Sequence, residues 1–277
     1  MQTGNCDRRI AAVANAAAYE GLISESYIDG APHIKHKQLR DLYARQVLQV
    51  YERAVANCAV PTVLDLGAGE GSVTLPFLEL GCRVVAVDIA EGQLKRLESR
   101  CSVHSERLEL KFQDLIETLV DTTRQYDIIV VNSLLHHIPD YSGLIRSALA
   151  RLTPGGQMFS FQDPMRYSTA SKASRMFGSL SYLLWRLGKK DVFAGVGRWM
   201  RRRRGVYLAD STHDNAEYHV IRDGVDQDAI TALCAEAGFK CEVTTYFSTQ
   251  SGLMQPIGSS LGVRNTFSMV AYRRHSN

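Results

Sequence analysis

The sequence predicts an α/β chain built on one doubly wound, mainly parallel seven-stranded sheet, and three observations carry that prediction. Short apolar runs of strand length alternate with helical stretches from residue 62 onward, the pattern of a parallel sheet covered on both faces. The run Val63-Leu-Asp-Leu-Gly-Ala-Gly-Glu-Gly71 sets three glycines directly after the first apolar run. An acid, Asp88, ends the second run, Arg83-Val-Val-Ala-Val-Asp88. It falls about 20 residues beyond the glycines, the usual distance for an acid that grips a ribose hydroxyl pair.

Residues 1–60 precede the first strand and are expected to form a helical cap. Leu39, Tyr43, Val47, Val50, Tyr51 and Ala54 fall on one face at helical spacing, which predicts an amphipathic helix. Residues 27–36 read as a loop, with Gly30-Ala-Pro32 as the breaker. Strands are predicted near 62–66, 83–87, 107–112, 127–131 and 156–162, with helices between them. The helix after the glycines is predicted to start near Gly71. Over 142–152, Leu144, Ile145, Ala148, Leu149 and Leu152 make an apolar face; over 227–237, Ile230, Leu233, Cys234 and Ala237 turn inward and Gly238 is the stop. Residues 240–247 and 266–272 read as the last two strands. The main domain therefore spans 61–277, interrupted at 164–225 by a helical insertion carrying Met176, Leu180, Leu183, Leu184 and Leu187. That insertion leaves from the carboxyl end of the fifth strand, where ligands bind in such sheets, so it is expected to form a lid.

Composition narrows the class. With 45% hydrophobic and 22% charged residues, the chain reads as an ordinary soluble globular protein. A net charge of +3 is too small to imply a nucleic-acid partner. Cys6, Cys58, Cys82, Cys101, Cys234 and Cys241 show no C-x-x-C pairing, so neither a zinc site nor a disulfide frame is signalled. The Ala-rich run from Ile10 to Ala18 is too short to span a bilayer. A cytoplasmic location is the resulting expectation.

The glycine spacing selects the ribose-bearing ligand. A dinucleotide fingerprint is G-x-G-x-x-G, whereas this loop is G-x-G-x-G with Glu70 inside it. A carboxylate there opposes a pyrophosphate, which wants the positive end of a helix, and argues against a nicotinamide oxidoreductase. A cofactor ending in a cationic amine and sulfonium tolerates the acid. The series Asp65-Leu-Gly-Ala-Gly-Glu-Gly71, Val87-Asp88, Phe112-Gln-Asp114-Leu115, Tyr126-Asp-Ile-Ile-Val-Val-Asn132 and Leu152-Thr-Pro-Gly-Gly156 resembles, in order, the motifs of class I S-adenosylmethionine-dependent methyltransferases of the small-molecule type. The resemblance is clear over residues 60–163 and loose over 226–273. It implies a Rossmann-like methyltransferase fold whose last two strands form an antiparallel hairpin, and N-terminal helices that cover the pocket.

The resemblance also assigns roles. Asp65, Gly67, Ala68 and Gly69 would hold the methionine end of S-adenosyl-L-methionine. Asp88, with Ile89 beside it, would take both ribose hydroxyls, because a carboxylate offers two oxygens to two donors. Asp114 would accept from the adenine amino group, with Leu115 against the ring; the competing role for Asp114 is a plain helix N-cap. Asn132 either orients the cofactor or caps its loop. His136 and His137 follow, and Asp163 ends the fifth strand, so a His/Asp general base acting on a hydroxyl is expected at these adjacent strand ends. One histidine of the pair is expected to serve as the base and the other to pack as a neutral residue.

His33, His36, His213 and His219 are expected in loops near the mouth, and no spacing among them argues for a metal. Arg198 and Arg201 to Arg204 read as a solvated helix end, or more sharply as a contact for an anionic substrate or membrane surface; Trp185 and Trp199 flank that segment. The expected acceptor is a small molecule, most simply a sugar or natural-product hydroxyl. The alternatives are N- or C-methylation of a lipid-like or quinone substrate by positioning alone, a nucleic-acid methyltransferase, and a non-catalytic binding relative. Asn132-Ser-Leu-Leu135 lacks the Asn-Pro-Pro-aromatic tetrapeptide of the base amino-methylases that hold a flipped base.

Overall fold

The computed structural model describes residues 31–187, 218–220 and 222–273, together with Gly197, Met200, Arg201, Arg204 and Val206. The expectations for residues 1–30, for Arg198, Trp199, Arg202 and Arg203, and for His213 lie outside the described residues. A short helix α1 (Pro32–Lys35) and a long one, α2 (Lys37–Val55), lead into β1 (Thr62–Leu66), α3 (Thr74–Glu79), β2 (Arg83–Asp88), α4 (Glu91–Arg100) and β3 (Leu108–Phe112). Then come α5 (Leu115–Val120), β4 (Tyr126–Asn132), α6 (Tyr141–Ala150) and β5 (Leu152–Pro164). The chain finishes with α7 (Lys172–Leu187), α8 (Gln227–Glu236), β6 (Lys240–Tyr246), α9 (Met254–Ser260) and β7 (Thr266–Tyr272).

All seven strands join one sheet in the order β3-β2-β1-β4-β5-β7-β6. β1 to β5 pair in parallel, while β7 runs antiparallel to both β5 and β6, the hairpin that the resemblance implied. Because both faces are covered, the central strands are apolar at successive positions rather than at alternate ones. Leu64 and Leu66 pack on one side with Val85, Val87, Ile129 and Val131. Val63 packs on the other with Val84, Ala86, Ile128 and Val130. Helix α2 covers that second side through Leu39, Tyr43, Val47, Val50 and Ala54; helices α6 and α8 cover the first.

The structure departs from expectation in several places, among them Leu152, which opens β5 rather than ending the helix before it. Residues 32–35 are helical, not loop, because Pro32 presets the first turn; the chain bends at His36 (ψ 121°) before α2 begins. The helix after the glycines starts at Thr74 rather than near Gly71, since Gly71 has φ +90° and cannot open a right-handed helix. Ala237 lies exposed past the end of α8, although Gly238 (φ +80°) does stop it. Helix α9 was not expected between the last two strands; Pro256 sits in its first turn, where no intrahelical N–H is needed.

The insertion leaves and returns through a narrow neck. Met165 bridges Val225, Val225 N–H donates to the Pro164 carbonyl at 3.0 Å, and Arg166 pairs with Asp223 at 3.0 Å. Helix α7 forms as expected, yet its apolar stripe faces outward: Met176, Leu180, Leu184 and Leu187 are exposed, while Ser181 and Arg186 are buried.

Candidate active site

Parallel strands bring their carboxyl ends to one edge of the sheet, and the order reverses between β1 and β4, which opens a crevice there. The two loops that flank it touch closely: a Cβ added at Gly67 would meet Leu134 Cδ1 at 2.9 Å. Gly67 has φ +72° and Gly69 φ +54°, the left-handed backbone that glycine enters without a Cβ penalty. Their turn is anchored by Gly67 and Ala68 N–H donating to the Val87 carbonyl at 2.9 and 3.0 Å. A Cβ at Gly69 would meet nothing within 4 Å, so the backbone there lies open to a ligand.

Asp88 is tied into the same loop. Its Oδ2 accepts from Gly69 N–H and its Oδ1 from Ala90 N–H, both at 2.8 Å. Burial nevertheless raises its pKa. Asp65 is fully inside: Oδ2 accepts from Thr74 Oγ1 at 2.6 Å, whereas Oδ1 is buried without a partner. Burial, together with the neighbouring Asp88 charge, pushes its carboxyl up to about 7 despite the Thr74 bond. Asn132 Oδ1 and the Tyr43 hydroxyl are likewise buried without a partner.

These orphaned atoms test the fit to S-adenosylmethionine. A cofactor bearing a cationic amine and ribose hydroxyls supplies donors to acceptors such as Asp65 Oδ1 and Asn132 Oδ1, and a positive charge that returns Asp65 to the carboxylate form. The residues therefore fit that group. Asp114 caps α5, accepting from Ile116 N–H at 2.7 Å, so the plain-cap role is realised. Leu115 is buried behind it and Ile89 is half-buried beside Asp88. Glu70 pairs with Arg100 at 2.9 Å. That pairing blunts its charge, so the case against a pyrophosphate rests on the G-x-G-x-G spacing more than on Glu70.

On the other side of the crevice, His136 and Asp163 meet. His136 Nδ1 lies 2.8 Å from Asp163 Oδ1, and the same oxygen accepts from the His136 backbone N–H at 3.2 Å. Ser160 Oγ donates to Asp163 Oδ2 at 2.8 Å. Residues three apart in a regular strand point to opposite faces. Here a bulge intervenes: the β5–β7 register slips between Ser160 and Asp163, and Gln162 takes φ +71°. The bulge is held by Tyr246, whose hydroxyl accepts from Gln162 N–H at 2.9 Å. The facing turn on β4 is equally unusual, with Ser133 at φ +53° and its N–H donating to the Phe161 carbonyl at 2.7 Å. Two non-glycine residues in left-handed backbone at one site are a mark of function. His137 is buried and its ring packs 3.9 Å from that of His136. Only His136 of the pair is bonded to Asp163 and lines the adjoining cavity.

That cavity, of about 350 Å³, is lined by His136, His33, Tyr182, Trp185, Phe247 and Thr249, among others. Sequence reasoning missed Ser160, Gln162, Tyr246 and the 247–249 turn, because they belong to no contiguous motif. His33 and His36 were expected in mouth loops. His33 instead sits on α1, buried, and His36 bonds the Thr249 carbonyl at 2.7 Å from the bend between α1 and α2. His219 clasps the loop that holds the dyad: its N–H donates to the His136 carbonyl at 2.8 Å and its ring contacts the Ile138 carbonyl at 2.9 Å. Among the described residues no group of three or more His, Cys, Asp or Glu could hold a metal, and no helix is long and apolar enough to cross a membrane.

Comparison with known proteins bears on the domain and its fold. Residues 64–158 match the methyltransferase domain family. The chain is 34% identical over 128 residues to a ubiquinone biosynthesis O-methyltransferase of Pseudomonas syringae pv. tomato, covering 44% of this chain and 52% of the relative. It is 28% identical over 109 residues to the protein of the same name from Xanthomonas oryzae pv. oryzae, covering 39% and 46%. The chain thus spans about half the length of the curated relatives it matches. Two solved structures share its fold across nearly all of both chains. One is the magnesium protoporphyrin IX methyltransferase from Synechocystis with bound S-adenosylhomocysteine (TM-score 0.56, 14% identity, 97% and 100% covered). The other is a plantazolicin methyltransferase, also with S-adenosylhomocysteine (TM-score 0.57, 9% identity, 98% of each covered). With the domain match, the strand order and the ordered motifs together, this chain carries a class I S-adenosylmethionine-dependent methyltransferase domain.

Proposed function

We propose that this protein methylates a hydroxyl of a small molecule, with His136 as general base and Asp163 as its orienting partner. One observation carries the reading: the 2.8 Å contact between His136 Nδ1 and Asp163 Oδ1, on a ring that also lines the cavity. A carboxylate only accepts hydrogen bonds, so Nδ1 carries the hydrogen and Nε2 is the basic nitrogen of the neutral ring. When bound, S-adenosylmethionine supplies an electrophilic methyl group on a cationic sulfur.

The rest of the chemistry falls to the chain. An alcohol is too weak an acid to react without help, and Nε2 of His136 takes its proton as the oxygen attacks. Asp163 stabilises the imidazolium that forms, and Ser160 fixes the second carboxylate oxygen. Burial of both His136 and Asp163 keeps water away from the base. Asp65, Gly67, Ala68, Gly69 and Asn132 would hold the methionine end, Asp88 and Ile89 the ribose, and Asp114 and Leu115 the adenine. The test is a screen of hydroxylated small molecules for S-adenosylhomocysteine release, followed by His136→Gln on any acceptor found. Turnover that survives this substitution intact would leave positioning alone as the mechanism and shift the acceptor towards an amine, a carbon or an acidic phenol.

A second reading concerns the body of the acceptor. The relatives are named for ubiquinone biosynthesis, and α7 turns Met176, Leu180, Leu184 and Leu187 outward beside the cavity that Tyr182 and Trp185 line. Both favour a lipid-like or quinone acceptor. An acceptor series differing only in the length of an apolar tail tests this: KM that does not fall with tail length counts against it. The contact of Arg198 and Arg201 to Arg204 with an anionic substrate or membrane surface is tested by co-sedimentation with anionic vesicles.

A further inference from the structure

One buried residue of the cavity has no use in the chemistry above. His33 lines the same cavity as His136 and is 7% exposed. Both of its ring nitrogens, Nδ1 and Nε2, are shut off from solvent and have no hydrogen-bond partner. The ring sits among aromatic neighbours, 5.9 Å from each of Tyr43 and Phe161, at the second position of α1. An unpaired buried polar atom destabilises a fold, so two on one side chain are a standing cost.

Several other polar side chains around the cavity are engaged with one another or with backbone. Gln162 Nε2 donates to Ser248 Oγ at 2.6 Å, Asn265 Nδ2 donates to the Ser248 carbonyl at 2.8 Å, and Thr249 Oγ1 meets Ser181 Oγ at 2.6 Å. Among the described lining residues, His33 alone holds buried polar atoms without a partner. The aromatic rings of Tyr182, Trp185 and Phe247 complete the wall, which suits a planar apolar body with few polar points.

Resting on the general-base reading, we infer that His33 hydrogen-bonds an oxygen of the acceptor other than the one that reacts, so that the acceptor is an aromatic ring compound bearing at least two oxygen functions. His136 serves the oxygen that is methylated, and His33 sets the ring's register by holding the other. Torsion about the Cβ–Cγ bond of a histidine is broad, so rotation of the ring can bring a nitrogen to the cavity that the residue already lines. Burial lowers the His33 pKa to about 4. At neutral pH the imidazole therefore offers one donor and one acceptor, and adds no positive charge beside a sulfonium. His33 is a specificity residue, not a catalytic one.

The test is binding, which separates it from the base reading. Catechol, resorcinol and phenol are titrated by NMR into the S-adenosylhomocysteine-loaded protein, wild type and with His33→Phe, His33→Gln or His136→Gln. In the wild type at least one dihydroxybenzene should bind about tenfold tighter than phenol, the worth of one additional hydrogen bond. His33→Phe should erase that preference while its melting temperature equals or exceeds wild type, because an apolar ring replaces unpaired polar atoms. His33→Gln, which keeps a donor and an acceptor, should retain part of it. A merely structural histidine would give the reverse: lower melting temperature and unchanged preference. The inference is overturned if the preference survives His33→Phe, if the wild type shows none, or if no probe binds. Loss of turnover without loss of preference in His136→Gln would leave it standing beside the base; intact turnover there would remove the base alone.

Discussion

The two sides of the crevice are built on opposite plans. On the side that would hold the cofactor, polar groups are buried and left waiting: Asp65 Oδ1, Asn132 Oδ1 and the Tyr43 hydroxyl have no partner among the described residues. On the side of β5, Asp163 is fully engaged, with bonds from the His136 ring, the His136 backbone and Ser160. The first side is incomplete without a polar, cationic ligand. The second is a finished device that needs no ligand to hold its geometry. Binding sites keep unspent hydrogen-bonding capacity for the molecule they hold, whereas a proton-transfer dyad must be oriented before the substrate arrives.

That difference predicts how each side breaks. The largest effect belongs to the finished side: Asp163→Asn removes the carboxylate that orients His136, and kcat should fall by about 10²- to 10⁴-fold while S-adenosylhomocysteine affinity by calorimetry stays near wild type. On the waiting side, Asp88→Ala should weaken S-adenosylhomocysteine binding by about 1.5–3 kcal/mol, the cost of losing hydrogen bonds to a charged acceptor. Equal affinity in the two proteins, or binding of NAD instead, would sink the cofactor assignment.

A smaller effect comes from pH. Burial holds the Asp65 carboxyl at about 7 against 3.8 for an unperturbed group. The native state keeps a proton that the unfolded chain has lost, so between these values the ligand-free protein should become less stable as pH rises. A cationic amine beside Oδ1 favours the carboxylate, so S-adenosylhomocysteine should bind up to about tenfold tighter at pH 8 than at pH 6. Asp65→Asn should flatten that dependence; an unchanged slope would place the amine elsewhere. Smallest is Gly67→Ala, which forces a side chain into φ +72° and sets its Cβ 2.9 Å from Leu134. It should cost about 1–2 kcal/mol of stability, read as a lower melting temperature.

The two sides also differ in how far they can be read from sequence. The waiting side is local: Asp65 to Gly71, Asp88 and Asp114 each close a strand within a few residues of it, so apolar runs and glycine spacing locate them. The finished side is assembled from distant segments. Asp163 and His136 were legible because Asp163 closes β5 and His136 follows the end of β4 by a few residues, and the adjacency of β4 and β5 follows from the fold. Nothing local announces the bulge at Gln162, a residue without glycine's freedom at positive φ. Nor does any motif lead to Tyr246, 84 residues away, whose hydroxyl secures it. His33 read as a loop residue because Gly30-Ala-Pro32 looked like a breaker, when Pro32 in fact opens a helix. The outward apolar stripe of α7 shows the limit of periodicity: spacing finds the helix but not which side faces the protein.

The most direct measurement is kcat for His136→Gln against wild type, at saturating S-adenosylmethionine with an acceptor that the wild type methylates, alongside S-adenosylhomocysteine affinity for both proteins. The expected result is a fall in kcat of about 10²- to 10⁴-fold with affinity changed less than about threefold. A kcat within threefold of wild type would contradict the His136–Asp163 base, and a matching collapse of cofactor affinity would make His136 part of the binding side instead.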